Sequence, residues 1–63
     1  MQLRHAVKLH NGDEVIDKKT GESIRVLYRE FHSELRGDGH NAVYIIGIGE
    51  KQGYGEWHHR SVR

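Results

Sequence analysis

Histidine is the residue type in this chain best suited to metal or proton chemistry. Six histidines occur among the 63 residues, at His5, His10, His32, His40, His58 and His59. Imidazole is a good zinc ligand, but no two of these positions have the usual ligand spacing. Adjacent residues of a strand point to opposite faces, so the His58-His59 pair would not bind one ion together. The pattern predicts surface and loop histidines that titrate near neutral pH, and no metal ion or other cofactor.

Two further patterns contain residue types that occur in catalytic or ligand sites. The segment GIGEKQGYG, residues 47–55, is glycine-rich, but its glycine spacing does not fit a nucleotide fingerprint and no helical pattern follows it. The carboxylates are interpreted as solvated turn or strand positions: Asp13, Glu14, Asp17, Glu22 and Glu30. No serine has a nucleophile-elbow context and cysteine is absent. We therefore expect a protein that is not an enzyme and has no evident small-molecule substrate.

Alternating apolar and polar residues predict β-strands along the whole chain. The predicted strands cover residues 3–9, 13–18, 23–31, 42–51 and 56–60. Asn11-Gly12 predicts a hairpin turn, and Gly21 is expected to take the left-handed conformation of a second turn. No window keeps the helical period of 3.6 residues, so we predict no long helix. One helical turn in RSVR, residues 60–63, would bring Val62 back to the core.

The same alternation assigns side chains to faces of the sheet. In the strand 23–31 it places Ile24, Val26 and Tyr28 in the core, and Arg25, Leu27 and Arg29 on the outward face. Trp57 is expected in the core, because a small barrel needs large apolar side chains. The paired glycines of residues 47–49 favour a bend or a close backbone approach. The segment HSELRGDGHN, residues 32–41, breaks the alternation and is interpreted as a loop.

Composition limits what the fold can be. The chain has 63 residues, no cysteine and a net charge of +1 with acids and bases mixed throughout. We expect one domain, residues 1–63, with a small core that gains stability from a regular fold or from a partner. The first fifteen residues carry Arg4 and Lys8 and lack a sustained apolar run, so no signal peptide and no membrane span is predicted. A cytoplasmic protein is the expected localisation.

The segment NGDEVIDKKTGESIRV, residues 11–26, resembles the opening of small Src-homology-3-like barrels of bacteria and phages. GYGEWHH followed by RSVR, residues 53–63, is similar to their closing strand and final turn. Ser61 and Val62 depart from the acidic residue and leucine common in that turn, and residues 1–10 precede the usual start. The resemblance implies an all-β, five-stranded antiparallel Src-homology-3-like barrel of uncharacterised function, possible phage origin and a binding role. Such domains contact protein, RNA or DNA.

Two binding functions follow as expectations. The first is a protein-interaction or assembly adaptor, with a protein partner or self-association through a strand edge or the face of Leu27. The alternative is a nucleic-acid-binding module that uses a basic and aromatic sheet face. The candidate contact residues for either partner are Arg25, Leu27, Arg29, Arg36, His40, Tyr54, His58 and Arg60. Arg25 and Arg29 are alternatively ordinary strand residues paired across the sheet with Glu50 or Glu56.

Overall fold

The computed structural model describes residues 1–33 and 41–63 and contains a curled antiparallel sheet, half of a barrel. In chain order the elements are α1 (Leu3–Ala6), β1 (Glu14–Ile16), β2 (Ser23–Ser33), β3 (Asn41–Gly49), β4 (Gly53–His58) and a 3-10 turn, His59–Ser61, called the closing turn below. The strands lie side by side in chain order. The all-β prediction is confirmed, with four strands in the part of the chain that the structure describes.

The first predicted strand, residues 3–9, is wrong. Leu3–Ala6 is a short helix in which the Ala6 N–H donates to the Gln2 carbonyl at 3.1 Å and the Val7 N–H to the Leu3 carbonyl at 3.1 Å. Apolar residues three and four positions apart fit one face of a helix as well as they fit a strand, so the short pattern was ambiguous. Ala6 is fully buried, and α1 contacts β3.

Asn11-Gly12 consequently forms a turn, but that turn does not join two strands. Gly12 has a φ of 95°, as the sequence predicted, and its N–H donates to the Val26 carbonyl at 2.8 Å. The turn therefore docks on the side of β2. The prediction of a hairpin at this position is wrong because no strand precedes it.

The inner face of the sheet carries the core. Its buried cluster contains Val15, Ile24, Val26, Ile45, Trp57 and Val62. The predicted inward positions of Ile24 and Val26 are confirmed, but Tyr28 is 48% exposed. A shift of register between Val26 and Tyr28 inserts an extra residue into β2, and such a bulge reverses the faces of the residues that follow it.

Trp57 is buried, as predicted, and the glycines of the sheet make room for its ring. A Cβ atom at Gly49 or Gly55 would lie 3.3 Å or 3.1 Å from Cη2 of the indole. At Gly47 a Cβ atom would lie 2.5 Å from the Arg25 carbonyl oxygen of the neighbouring strand. The expected close approach at these glycines is confirmed.

The closing turn returns the chain to β1. Val62 is fully buried and forms an isolated antiparallel bridge with Asp17. Ile16 and Arg63 exchange two backbone hydrogen bonds of 2.9 Å. The predicted helical turn that brings Val62 to the core is confirmed, and it covers the edge of β1 with backbone partners.

Asp17 and Glu22 are buried, so the prediction that both are solvated is wrong. Asp17 accepts hydrogen bonds from the Lys19 N–H at 2.8 Å and from Trp57 Nε1 at 3.0 Å. Glu22 accepts from the backbone N–H groups of Lys51, at 2.8 Å, and Gln52, at 3.1 Å. Each carboxylate satisfies donors that would otherwise lack partners, and Glu22 joins the β1–β2 turn to the β3–β4 turn.

The segment 32–41 was predicted as a loop, but its ends belong to strands. His32 and Ser33 complete β2, and Asn41 begins β3 opposite Ser33. Two candidate contact residues in this segment, Arg36 and His40, lie outside the described residues. Among the helices of residues 1–33 and 41–63, none has the length and apolar character needed to cross a bilayer.

Candidate interaction surface on the outer face of the sheet

The outer face of the sheet, opposite the core, presents an exposed patch of three large side chains: Tyr28 of β2, Ile48 of β3 and Tyr54 of β4. Tyr54 is 67% exposed, and its hydroxyl lies 3.4 Å from the hydroxyl of Tyr28. Ile48 lies directly opposite Tyr54, and Ile46 of the same face lies opposite Tyr28. We call Tyr28, Ile48 and Tyr54 the outer patch. The patch spans three neighbouring strands, so the sheet backbone fixes its geometry.

Acidic residues surround the outer patch. The register places Glu56 opposite Ile46, Glu30 opposite Tyr44 and Glu14 opposite Arg25, all on the outer face. The hydrogen bond with Tyr54 raises the pKa of the Tyr28 phenol above its ordinary value, and burial and the charges of Glu30 and Glu56 act in the same direction. The electrostatic environment of Tyr28 is therefore negative.

The outer face has a shallow groove of about 360 Å³ beside Ile48. This groove is lined by Glu14, Ser23, Arg25, Ile48, Gly49 and Glu50. The Ser23 hydroxyl donates to Glu14 at 3.3 Å on one wall. The groove carries both signs of charge next to an apolar side chain, which is the mixed composition of a protein interface rim.

The predicted basic stripe of Arg25, Leu27 and Arg29 is wrong. Arg25 lies opposite Ile48 on the outer face, whereas Arg29 lies opposite Ile45, which is a core residue of the inner face. The bulge that separates them also contains Leu27, which is half-buried. Neither arginine lies directly opposite Glu50 or Glu56, the alternative partners expected across the sheet.

Arg29 does not lie on the outer face of the sheet but contacts the N-terminal segment at Val7. Its guanidinium donates to the Val7 carbonyl and lies 5.8 Å from the centroid of the Phe31 ring. Phe31 is 64% exposed on the inner side of the sheet, beyond the core. Arg29 thus joins β2 to Val7, the residue that follows α1, a structural role that the alternation pattern does not indicate.

The prediction that His58 and His59 point to opposite faces of one strand is wrong. β4 ends at His58 and the closing turn begins at His59, so the two rings stack with centroids 4.4 Å apart. His58 Nδ1 accepts the Arg60 N–H at 3.1 Å, and its ring contacts Tyr44 edge-on at 5.2 Å. Arg60 is exposed on the closing turn.

His59 is also an exception to the prediction of surface histidines, because it is only 4% exposed. Its Nδ1 accepts the Val43 N–H at 3.3 Å, which holds the closing turn against β3. Burial lowers the pKa of His59 below its ordinary value, and the charges of His58 and Arg60 lower it further. Within residues 1–33 and 41–63, no three histidine, aspartate or glutamate side chains are grouped so that they could hold a metal ion.

The sequence predicts Arg25 on the outward face and Tyr54 as a contact residue, but it does not indicate Tyr28 or Ile48 as contact residues. The alternation predicts Tyr28 in the core because the sequence pattern runs unbroken across the bulge. No family model, curated protein or solved structure matches this chain. The case for a function therefore depends on the exposed surface itself.

Proposed function

We propose that this protein is a small, non-enzymatic binding module that assembles with a second copy of itself through the outer patch. The observation that carries the proposal is the exposure of Tyr28, Ile48 and Tyr54 together on one regular sheet surface. Tyrosine is enriched at the centres of protein interfaces, because it buries a large area and loses little conformational entropy. A patch carried on paired strands needs little ordering when it binds.

The charge of the outer face favours a protein partner over nucleic acid. The face carries Glu14, Glu30 and Glu56 against the single arginine Arg25 among the residues that the register places there. Affinity for a phosphate backbone needs clustered lysine and arginine, and carboxylates oppose it. With Arg29 on the inner side, the basic and aromatic sheet face of the nucleic-acid alternative lacks its second arginine.

A second copy of the chain fits this surface for two reasons. In a two-fold interface each residue of the patch meets the same patch, so Arg25 of one copy can approach a carboxylate of the other. A chain of 63 residues also has a small core, and burying the outer patch would add to its stability. A second copy of this chain is therefore the proposed partner of this acidic, aromatic surface.

We also propose that the fold is related to the Src-homology-3-like barrels. Three features support this: the curled antiparallel sheet, the turn after β1 in which Gly21 has a φ of 75°, and the closing turn that returns Val62 to the core. The helix α1 before β1 is a difference from the expected five-stranded barrel. Fold kinship of this kind is compatible with a binding role and does not select the partner.

The test is the solution mass by light-scattering chromatography, at low and high salt, on protein freed of copurifying nucleic acid. We expect a dimer or larger assembly that persists in high salt, because burial of apolar surface is not weakened by salt. Tyr28→Ser combined with Tyr54→Ser should give a folded monomer. Phe31→Ser is the matched control, since it removes an exposed aromatic from the other side of β2 and should leave the assembly intact.

A wild-type monomer at both salt concentrations would overturn self-association. Binding of single-stranded or double-stranded nucleic acid that weakens steeply with salt would instead favour the nucleic-acid alternative. An assembly that survives the double tyrosine substitution would show that a different surface mediates it.

A further inference from the structure

A second groove, of about 490 Å³, lies where α1, the end of β1, the start of β3 and the closing turn meet. It is lined by Met1, Gln2, Leu3, Lys18, Asn41, His59 and Arg60. The side chains with a full charge, Lys18 and Arg60, are both cationic, and no acidic residue of the ranges 1–33 and 41–63 lines the groove. The polar residues Gln2 and Asn41 add amide groups that can donate hydrogen bonds. The groove is separate from the outer patch.

Backbone contacts hold the walls of this groove in place. The Lys18 N–H donates to the Ser61 carbonyl at 2.9 Å, which ties the end of β1 to the closing turn. The Met1 nitrogen donates to the Val62 carbonyl, and Val43 of β3 donates to His59. Lys18 is far from His59 and Arg60 in the chain, and the backbone contacts of the fold bring the three residues together.

His59 supplies a buried polar group to the groove. Because Nδ1 accepts the Val43 N–H, the neutral ring carries its proton on Nε2, which is a hydrogen-bond donor. The charged groups that act on His59 are His58, Arg60 and the amino group of Met1, and each lowers its pKa. Burial lowers the pKa of that amino group, and Lys18 lowers it further. Positive charge is thus concentrated here.

We propose that this groove is an oxyanion site that binds the phosphate group of a small phosphorylated molecule. The Arg60 guanidinium offers a planar fork that fits two phosphate oxygens, Lys18 adds a second cation, and His59 Nε2 adds a donor. Met1 and Leu3, both half-buried, form an apolar wall for the organic part of the molecule. The volume lies within the range of small-molecule sites. The sequence alone indicated no such ligand, because the residues that form the site are far apart in the chain.

The first experiment is an NMR titration of the whole protein with inorganic phosphate and with phenyl phosphate at constant ionic strength. We expect saturable shifts of the amide signals of Lys18, His59 and Arg60 with both probes. Tighter binding of phenyl phosphate would identify a phosphate ester as the ligand, and equal binding would identify the free oxyanion. Absence of saturable shifts at these residues with both probes would overturn the proposal.

Substitutions distinguish phosphate binding in this groove from nonspecific electrostatic attraction of anions to the protein. Lys18→Gln combined with Arg60→Gln should weaken phosphate binding about tenfold or more, because each removes a charged hydrogen bond. Both side chains are exposed, so the fold should be retained. Arg25→Gln is the matched control: it removes one exposed arginine from the outer face and should leave binding unchanged. Equal weakening by Arg25→Gln would show nonspecific electrostatics and overturn the site.

A second readout uses sulfate, which remains a dianion across the pH range of histidine titration. A bound dianion favours the protonated ring, so sulfate should raise the pKa of His59, measured from its imidazole proton signals. By linkage, sulfate should bind more tightly as the pH falls toward the pKa of His59, which lies below the ordinary histidine value. A His59 pKa that is the same with and without saturating sulfate would place the anion elsewhere and overturn the role of His59.

Discussion

At the scale of single residues, Trp57 connects β4 with Asp17, the residue that follows β1. Its ring packs on Gly49 and Gly55, and its Nε1 donates to Asp17 at 3.0 Å. Trp57→Ala should lower the free energy of unfolding by about 3–5 kcal/mol, because it leaves a cavity and a carboxylate without its donor. Urea denaturation followed by circular dichroism measures this loss, and a variant that is unfolded without urea also meets the expectation.

Tyr54→Ala is the control for Trp57→Ala. It removes an exposed aromatic from the same strand and should change the free energy of unfolding of the monomer by no more than about 0.5 kcal/mol. If the two substitutions had equal effects, Trp57 would not be the core residue that its burial indicates.

The two buried carboxylates determine how stability depends on acid. The hydrogen bond from the Lys19 N–H holds the pKa of Asp17 below 3.8, and that from the Lys51 N–H holds the pKa of Glu22 below 4.5. Because these values are lower in the folded state, the unfolded state takes up protons first as the pH falls. Stability contributed by the two groups is present above about pH 4.5 and is lost progressively below it.

Glu22→Gln tests this acid dependence. It should lower stability at pH 7, where the carboxylate accepts from Lys51 and Gln52, and should flatten the loss between pH 5 and about pH 3. Urea denaturation at several pH values measures both effects. Glu56→Gln, an exposed carboxylate on the outer face, is the control and should keep the acid dependence of the wild type. A Glu22→Gln protein with an unchanged pH profile would contradict the assigned role.

At the scale of elements, β3 can pack closely on β2 only because Gly47 has no side chain. A Cβ atom there would lie 2.5 Å from the Arg25 carbonyl oxygen and 2.9 Å from Cγ2 of Ile24. The carbonyl belongs to a paired strand and cannot move aside without breaking the pairing. Gly47→Ala should therefore destabilise the fold by about 1–3 kcal/mol, the usual cost of overpacking, measured by thermal or urea unfolding.

Gly53→Asn is the comparison for Gly47→Ala. Gly53 has a φ of 76° and open space where a Cβ atom would lie, and asparagine tolerates this conformation. Its cost should be well below that of Gly47→Ala. The opposite order would mean that turn conformation, and not strand packing, limits the stability of this sheet.

The elements also show what the sequence can and cannot specify. Alternation correctly placed Ile24 and Val26 in the core, because an uninterrupted strand has a strict period of two. It failed at Tyr28 because a bulge depends on how two strands pair, which a local pattern does not contain. Residues 3–9 were misassigned because a short apolar pattern fits both helix and strand.

The candidate site was less predictable than the fold for the same reason. Local alternation predicts the outward position of Arg25, and the interleaved aromatic and basic residues near the end of the sheet indicate Tyr54, whereas Tyr28 joins them only through the bulge. The sequence predicts Asp17 and Glu22 as solvated because Trp57 and Lys51, which donate to them in addition to local donors such as the Lys19 N–H, lie about thirty to forty residues away. Burial of a polar side chain by a distant partner leaves no trace in its own neighbourhood of the sequence.

At the scale of the whole molecule, the proposed assembly and the small core are linked. If folding and association are coupled, a tenfold increase in protein concentration stabilises the assembly by about 1.4 kcal/mol per dimer. For a chain of this size that corresponds to a rise in Tm of roughly a few degrees. We expect the Tm of the wild type to rise with concentration over two decades, measured by circular dichroism and calorimetry.

The variant with Tyr28→Ser and Tyr54→Ser should lose this concentration dependence, because it cannot bury the outer patch against a second copy. Its Tm should equal that of the wild type extrapolated to low concentration, since both side chains are exposed in the single chain. Phe31→Ser should retain the dependence. A wild-type Tm that is independent of concentration, in protein whose mass is that of a dimer, would mean that the dimer dissociates into stable folded monomers before it unfolds. The outer patch would then serve assembly without contributing to the stability of the fold.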